Sequence, residues 1–217
     1  MARKIAPYAG MLGPLLFTLS FTIHGMLLPG YDPVRRYISE LSIGRHGWIQ
    51  IVSFIFLGVA LLLFAPALKA AFPSGKASRS APVIFRIIAV CYFLSGPFVT
   101  DEMAMFDNQQ TLHGVLHGIF GAVVFSLSAV SCFVLWYRFR GDDGWKSLSA
   151  YTLATGIAMA ILIGLMKAGQ LKAGLLSDWA GAVQRCCLVL FYVWVFILAY
   201  RLRKPIRTGA GLPNLEI

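Results

Sequence analysis

Charge is what this sequence has least of: 13% of its 217 residues are Asp, Glu, Lys or Arg, and only nine are acidic. A soluble chain of this length carries roughly twice that share on its surface, so the shortage excludes an ordinary soluble domain. The glycine-rich signatures of nucleotide binding are missing too, with no GxxxxGK[ST] and no GxGxxG, and so is the GxSxG of a nucleophile elbow. The four cysteines (Cys91, Cys132, Cys186 and Cys187) all fall in apolar runs and make no CxxC pair. That leaves no disulfide framework, and they read as small buried hydrophobes.

What the chain has in abundance is apolar length, 58% hydrophobic residues with a mean hydropathy of +0.73. About 20 apolar residues cross a bilayer, and six runs approach or exceed that length: 8–30, 48–72, 82–99, 115–139, 147–169 and 182–203. The expected fold is an all-α integral membrane bundle of six spans. It forms one domain over 1–203, followed by a flexible tail over 204–217. The first run follows a basic "MARK" lead but is too long for a signal-peptide core and lacks a small-x-small cleavage site, so it reads as a retained span.

The net charge of +10 has a direction. With the N-terminus inside, 13 of the 19 basic residues flank the spans on the inner side, against three of the nine acidic ones. The outer side balances to zero. This asymmetry predicts both termini in the cytoplasm of an inner cell membrane. It makes membrane lipids, and not nucleic acid, the partner of the basic excess. Oligomeric state is not encoded in any recognisable pattern.

Sorted by this topology, all four histidines lie on the outer side or in the outer half of a span. Asp32, Glu40, Asp101, Glu102 and Asp107 share that side. Ionisable groups within a membrane usually face a bundle interior or a wet cavity, so an outward-facing His/carboxylate pocket is expected. In "TLHGVLHGIFGA" (111–122), His113 and His117 stand four apart, about 40° around a helix. Neutral imidazoles at that spacing can share one metal ion, with His24 at a compatible depth and Asp101 nearby as further ligands. Gly114, Gly118 and Gly121 form an adjacent stripe that invites close approach of another helix. Thr111 or Asn108 would cap the helix.

The connector "GYDPVRRYISELS" (30–42) has more polar chemistry than a hairpin needs. Asp32-Pro33 is a helix-start pair, and Val34, Tyr37, Ile38 and Leu41 repeat at helical spacing. A short amphipathic helix on the outer surface is expected. It would act either as a lid over the histidines, with Glu40 as base and Arg36 holding an anion, or as an interfacial anchor with Glu40 paired to Arg36. Arg185, one turn inside the last span, either snorkels, pairs with Asp101, or binds a substrate phosphate or carboxylate.

The ordered set "GYDPVRRYISELS", Asp101, "TLHGVLH" and "GAVQR" resembles an uncharacterised family of prokaryotic multi-pass membrane proteins, domain of unknown function nine-nine-eight. The likeness runs over roughly residues 10–200. More distantly, the first outer loop and the fourth-span histidine are similar to the Frag1/DRAM/Sfk1 six-helix membrane proteins. The resemblance implies functional weight at Asp32, Ser39, Glu40, Asp101, His113 and Arg185, and it supplies no activity.

Two functions follow as expectations. One is a metal-dependent hydrolase or transferase acting on a lipid or lipid-linked group. In it His113, His117 and His24 hold Zn, Glu40 and Asp101 move protons, and Arg36, Arg185, Asp32 and Ser39 position the substrate. Haem ligated by His24 with His113 or His117 ranks behind zinc. The other is a non-catalytic lipid-binding, sensor or transport-accessory protein.

Overall fold

The computed structural model of the chain describes residues 2–102, 110–171 and 177–203. Asp107, Asn108 and the 204–217 tail, which figured in the expectations above, lie outside the described residues.

Among the described residues, six α-helices carry the fold: α1 (Ala2–Leu27), α2 (Trp48–Ala71), α3 (Ser80–Ser95), α4 (Leu112–Phe139), α5 (Ser149–Leu171) and α6 (Ala180–Leu202). No strand occurs among the described residues. Each helix packs against its chain neighbours, and α6 returns to α1, so the six close a ring in sequence order. The chain runs up and down this ring. One end, here the terminal end, gathers the start of α1 and the end of α6; the other, the distal end, gathers the 28–47 connection, the end of α3 with the start of α4, and the end of α5 with the start of α6.

Five helices are long and apolar enough to cross a membrane. The exception is α3, whose 16 residues span about 24 Å against the roughly 30 Å of a hydrocarbon core. The run foreseen over 82–99 stops at Ser95 because Gly96 and Pro97 follow. The ring turns its apolar residues outward as well as inward: Leu12, Leu16, Leu19 and Ile23 on α1, and Val52, Phe56 and Leu63 on α2, are all exposed. A surface of that composition suits lipid and not water.

Inside the ring, Phe17, Phe54, Tyr92 and Tyr192 form a contiguous aromatic stack. The two tyrosine hydroxyls are 2.8 Å apart, so each supplies the other's partner. Hydroxyls elsewhere turn back on their own helices: Thr18, Thr22, Ser53, Ser95 and Thr155 all donate to the carbonyl four residues earlier. With no water available, this is how a membrane helix satisfies polar side chains.

Close approach of α2 and α3 depends on Gly58. A Cβ there would lie 2.6 Å from the Phe93 amide nitrogen and 2.7 Å from the Ala89 carbonyl. Around Gly164 in α5 the same atom would meet nothing within 4 Å. Gly58→Val is therefore expected to lower the detergent-solubilised melting temperature by on the order of 5 °C, the effect of overpacking a core. Gly164→Val, with the same change in helix propensity, should leave it within about 2 °C; differential scanning fluorimetry decides.

Candidate functional site at the distal end

The 30–42 connector does not form the surface helix its periodicity implied. Pro33–Arg36 is a turn, with the Asp32 carboxylate accepting from the Val34 amide at 2.9 Å and the Asp32 carbonyl from the Arg36 amide at 2.8 Å. The only helical part is a 3-10 segment over Ile38–Ser42, and all five of its residues are buried. Of the apolar stripe, Tyr37, Ile38 and Leu41 face into the bundle, while Val34 stays exposed. Tyr31, Ile38 and Leu41 join the main core. The segment is thus a plug seated in the mouth of the ring.

The turn leading into the plug presents carbonyls at the rim of the ring, exposed at Pro33 and half-buried at Arg36, and Arg185 satisfies them. Its Nη1 donates to the carbonyls of Pro33 at 2.6 Å, Arg36 at 2.9 Å and Gly181 at 3.1 Å. Its Nη2 donates to the Tyr31 hydroxyl, and the guanidinium lies over the Tyr31 and Phe21 rings. One residue earlier, Gln184 Oε1 accepts from the Ile38 amide at 2.7 Å, and the Ala182 amide donates to the Val34 carbonyl at 2.9 Å. Gly181 makes this possible, because a Cβ there would collide with the carbonyls of Arg36 and Pro33. Tyr31 in turn donates to the Tyr37 carbonyl at 2.9 Å. Burial pushes its hydroxyl above the ordinary tyrosine range, with the Arg185 charge pulling the other way, so it remains a donor.

Glu40 is 3% exposed, and both its oxygens are taken: Oε1 accepts from the Tyr37 amide at 2.9 Å and Oε2 from Arg36 Nε at 3.0 Å. Asp101 is held in the same way. Its Oδ2 accepts from the Thr111 amide and its Oδ1 from the Thr111 hydroxyl, each at 2.8 Å. Thr111 Oγ1 then caps α4 by accepting from the Gly114 amide at 3.0 Å. Gly114 leaves room for that carboxylate, which a Cβ would displace.

The histidines separate. His117 is buried, and its Nδ1 lies 2.7 Å from the Phe98 carbonyl; since a carbonyl only accepts, Nδ1 carries the proton. His113, one turn earlier, is exposed and lies against the Phe98 ring. His24 is buried between helices, and neither of its nitrogens has a partner among the described residues; the same holds for the amide of Gln50. The Ser20–Ser53 hydroxyl bond at 2.6 Å fixes the antiparallel register of α1 and α2, and it brings positions 24 and 50 to the same level one turn further out. Among the described residues, no group of three His, Cys, Asp or Glu side chains is placed to hold a metal ion. Asp32 and Arg35 stay at the exposed surface in a loose 3.7 Å pair.

Below the plug lies a cavity of about 150 Å³, lined on its polar side by Tyr37, Ser39, Ser95, Thr100, His117 and Gln184. Phe54, Phe125, Met166 and Leu188 supply apolar wall. Its exposed lining residues are Gly118, Ala122, Ser126 and Lys167, all on α4 and α5, so it opens sideways between these two helices. The glycine stripe that suggested close helix approach does the opposite here. A Cβ at Gly118 or Gly121 would meet nothing within 4 Å. Sequence reasoning also passed over Tyr31 and Gln184, although "GYDP" and "GAVQR" contained them.

A family model described as Protein of unknown function (DUF998) matches residues 11–201. No curated protein and no solved structure matches the chain.

Removing the guanidinium takes the donor from the part-buried carbonyls of Arg36 and Gly181 and from the exposed one of Pro33. Arg185→Gln is therefore expected to destabilise by about 1–3 kcal/mol, a fall of roughly 3–8 °C in melting temperature. Arg185→Lys should recover only part, because an ammonium cannot span the same acceptors. A variant melting with the wild type would show that the plug is held by something else.

Proposed function

The chain belongs to the DUF998 family of proteins of unknown function, and from its geometry we propose that it is a lipid-binding membrane protein. Its ligand, an amphiphile with an anionic head, enters the distal pocket sideways between α4 and α5. The observation that carries this reading is the open wall made by Gly118 and Gly121. A membrane helix usually spends glycine on contact with another helix; these two border a cavity, and apolar side chains line most of the rest.

The cavity's volume of about 150 Å³ suits a segment of acyl chain and not a whole lipid. Lys167 stands exposed at the opening and makes no ion pair among the described residues. Gly118 lies six residues into α4 and Lys167 four before the end of α5, depths of about 9 and 6 Å. An anionic head at Lys167 and an apolar segment beside Phe125 and Met166 would match the polarity gradient of a leaflet.

The reading includes six spans, with α3 as the short sixth between α2 and α4, and both termini on the cytoplasmic side. The basic excess at the terminal end supports that orientation. The pocket then faces the outer leaflet. A hydrolytic role is less well supported, because Glu40 and Asp101 are buried and held by Arg36, Tyr37 and Thr111, and neither lines the cavity. A base needs a free lone pair aimed at its proton.

The test is native mass spectrometry of protein released from mild detergent, with dioleoylphosphatidylglycerol as the added probe. Wild type should retain a lipid adduct that Gly118→Leu/Gly121→Leu loses while melting within about 3 °C of wild type, the glycines having no neighbours to disturb. Lys167→Gln should weaken the adduct roughly fivefold. Equal adducts in wild type and the leucine variant would overturn the assignment.

A further inference from the structure

A second candidate site lies at the opposite, terminal end. The α2–α3 connector, "PSGKASRS" (73–80), forms an open cleft with the last turn of α2, lined by Lys69, Ser74, Gly75, Ser78, Arg79 and Ser80. Two cations and three hydroxyls therefore converge on a concave surface at the start of a 16-residue helix, where the helix dipole favours negative charge. No acidic side chain lines it.

The connector is held in a shape that leaves donors free, with Lys69 Nζ using one of its three protons on the Pro73 carbonyl at 3.2 Å. Arg138 of α4 draws its carbonyls away: Nη1 accepts nothing and donates to Ser74 O at 2.8 Å and Lys76 O at 3.2 Å. Asp142 fixes Arg138 at 3.1 Å. Among the described residues, the amides of Lys76, Ala77 and Arg79 donate to no backbone carbonyl. Ser78 adds a separate observation: it is 9% exposed, it lines the cleft, and its hydroxyl has no hydrogen-bond partner among the described residues. The side chain is buried but its hydroxyl is not sealed off from the surface, so it is free to donate to whatever occupies the cleft.

The cleft does not stand alone. Ala77 and Ser80 also line an apolar groove that continues along the outside of α4 past Val130, Phe133, Val134 and Tyr137. At the junction Lys76 Nζ sits 4.0 Å from the centre of the Tyr137 ring, and Arg140 lies over Trp136 and Tyr137. Aromatic rings with stacked cations mark headgroup depth. A hydroxyl- and cation-lined cleft running into an apolar groove at that depth has the layout of a phospholipid, head above chain.

We infer that this connector binds the phosphate of an anionic phospholipid, with Lys69, Arg79 and Ser78 on the phosphate and one acyl chain along the Val130–Val134 groove. The shared chemistry, a phosphate, can also come from solution, so the probes separate the two sources. The site is independent of the distal pocket and does not rest on it.

The experiment titrates detergent-solubilised full chain with dioleoylphosphatidylglycerol, with dioleoylphosphatidylcholine and with inorganic phosphate, and counts adducts by native mass spectrometry. Each titration is repeated with Gly118→Leu/Gly121→Leu in place, so that lipid at the distal end is not counted. Wild type should prefer the anionic lipid. Lys69→Gln/Arg79→Gln should weaken it roughly tenfold, and Ser78→Val and Val134→Trp should each weaken it too, all with unchanged melting. Lys146→Gln/Arg203→Gln, the same charge loss elsewhere at this end, should not. Equal loss in the two double variants would reduce the effect to diffuse charge and overturn the site. Inorganic phosphate binding, with lipid binding untouched by Val134→Trp, would assign the cleft to a soluble anion and overturn the lipid.

Discussion

A single guanidinium makes the distal end of this protein possible. A connector with two tyrosines, two arginines and a glutamate cannot be lowered into the mouth of an apolar ring unless its backbone carbonyls find donors. Arg185 gives two of them, Pro33 and Arg36, a donor from one side chain fixed on α6. Arginine suits the task because its planar fork reaches several acceptors and stays charged when buried. Gly181 lets the connector approach closely enough for the bonds to form, and Gln184 adds an acceptor for the Ile38 amide. One short stretch of α6 therefore seats the plug, and the plug roofs the cavity beneath it.

The seated plug determines what the cavity is. Tyr37 and Ser39 reach it from above, and His117 and Gln184 from the helices. The carboxylates that a catalytic reading would enlist are spent on the architecture: Glu40 neutralises Arg36 and caps the plug, and Asp101 ties the α3–α4 connection to the start of α4. What is left facing the opening is apolar wall, glycine, the Ser126 hydroxyl and one lysine. That inventory favours binding an amphiphile over transforming one.

The helical runs were legible in the sequence because span length and hydropathy are local properties, and the boundaries of α2, α4 and α6 fall within a few residues of expectation. The connector was legible in its materials only. Val34, Tyr37, Ile38 and Leu41 keep helical spacing, yet spacing cannot say whether an apolar face meets lipid or protein. The answer depended on Arg185, about 150 residues away, supplying donors. The glycines at 118 and 121 carry a similar ambiguity: a missing side chain serves either close approach or empty space, and only the position of the neighbouring helix decides. His113 and His117 share a helix face to within about 40°, but the boundary between exposed surface and interior falls between them.

The burial of the plug is the claim on which the distal site depends. It is tested by maleimide labelling in a chain whose native cysteines are replaced, with a single cysteine at Ser42, 4% exposed, or at Val34, 39% exposed. Fast labelling of Val34→Cys with protection of Ser42→Cys, lost when Arg185→Gln is added, is the expected result. Labelling of Ser42→Cys as fast as Val34→Cys while Arg185 is intact would contradict the account, and would place the connector on the surface.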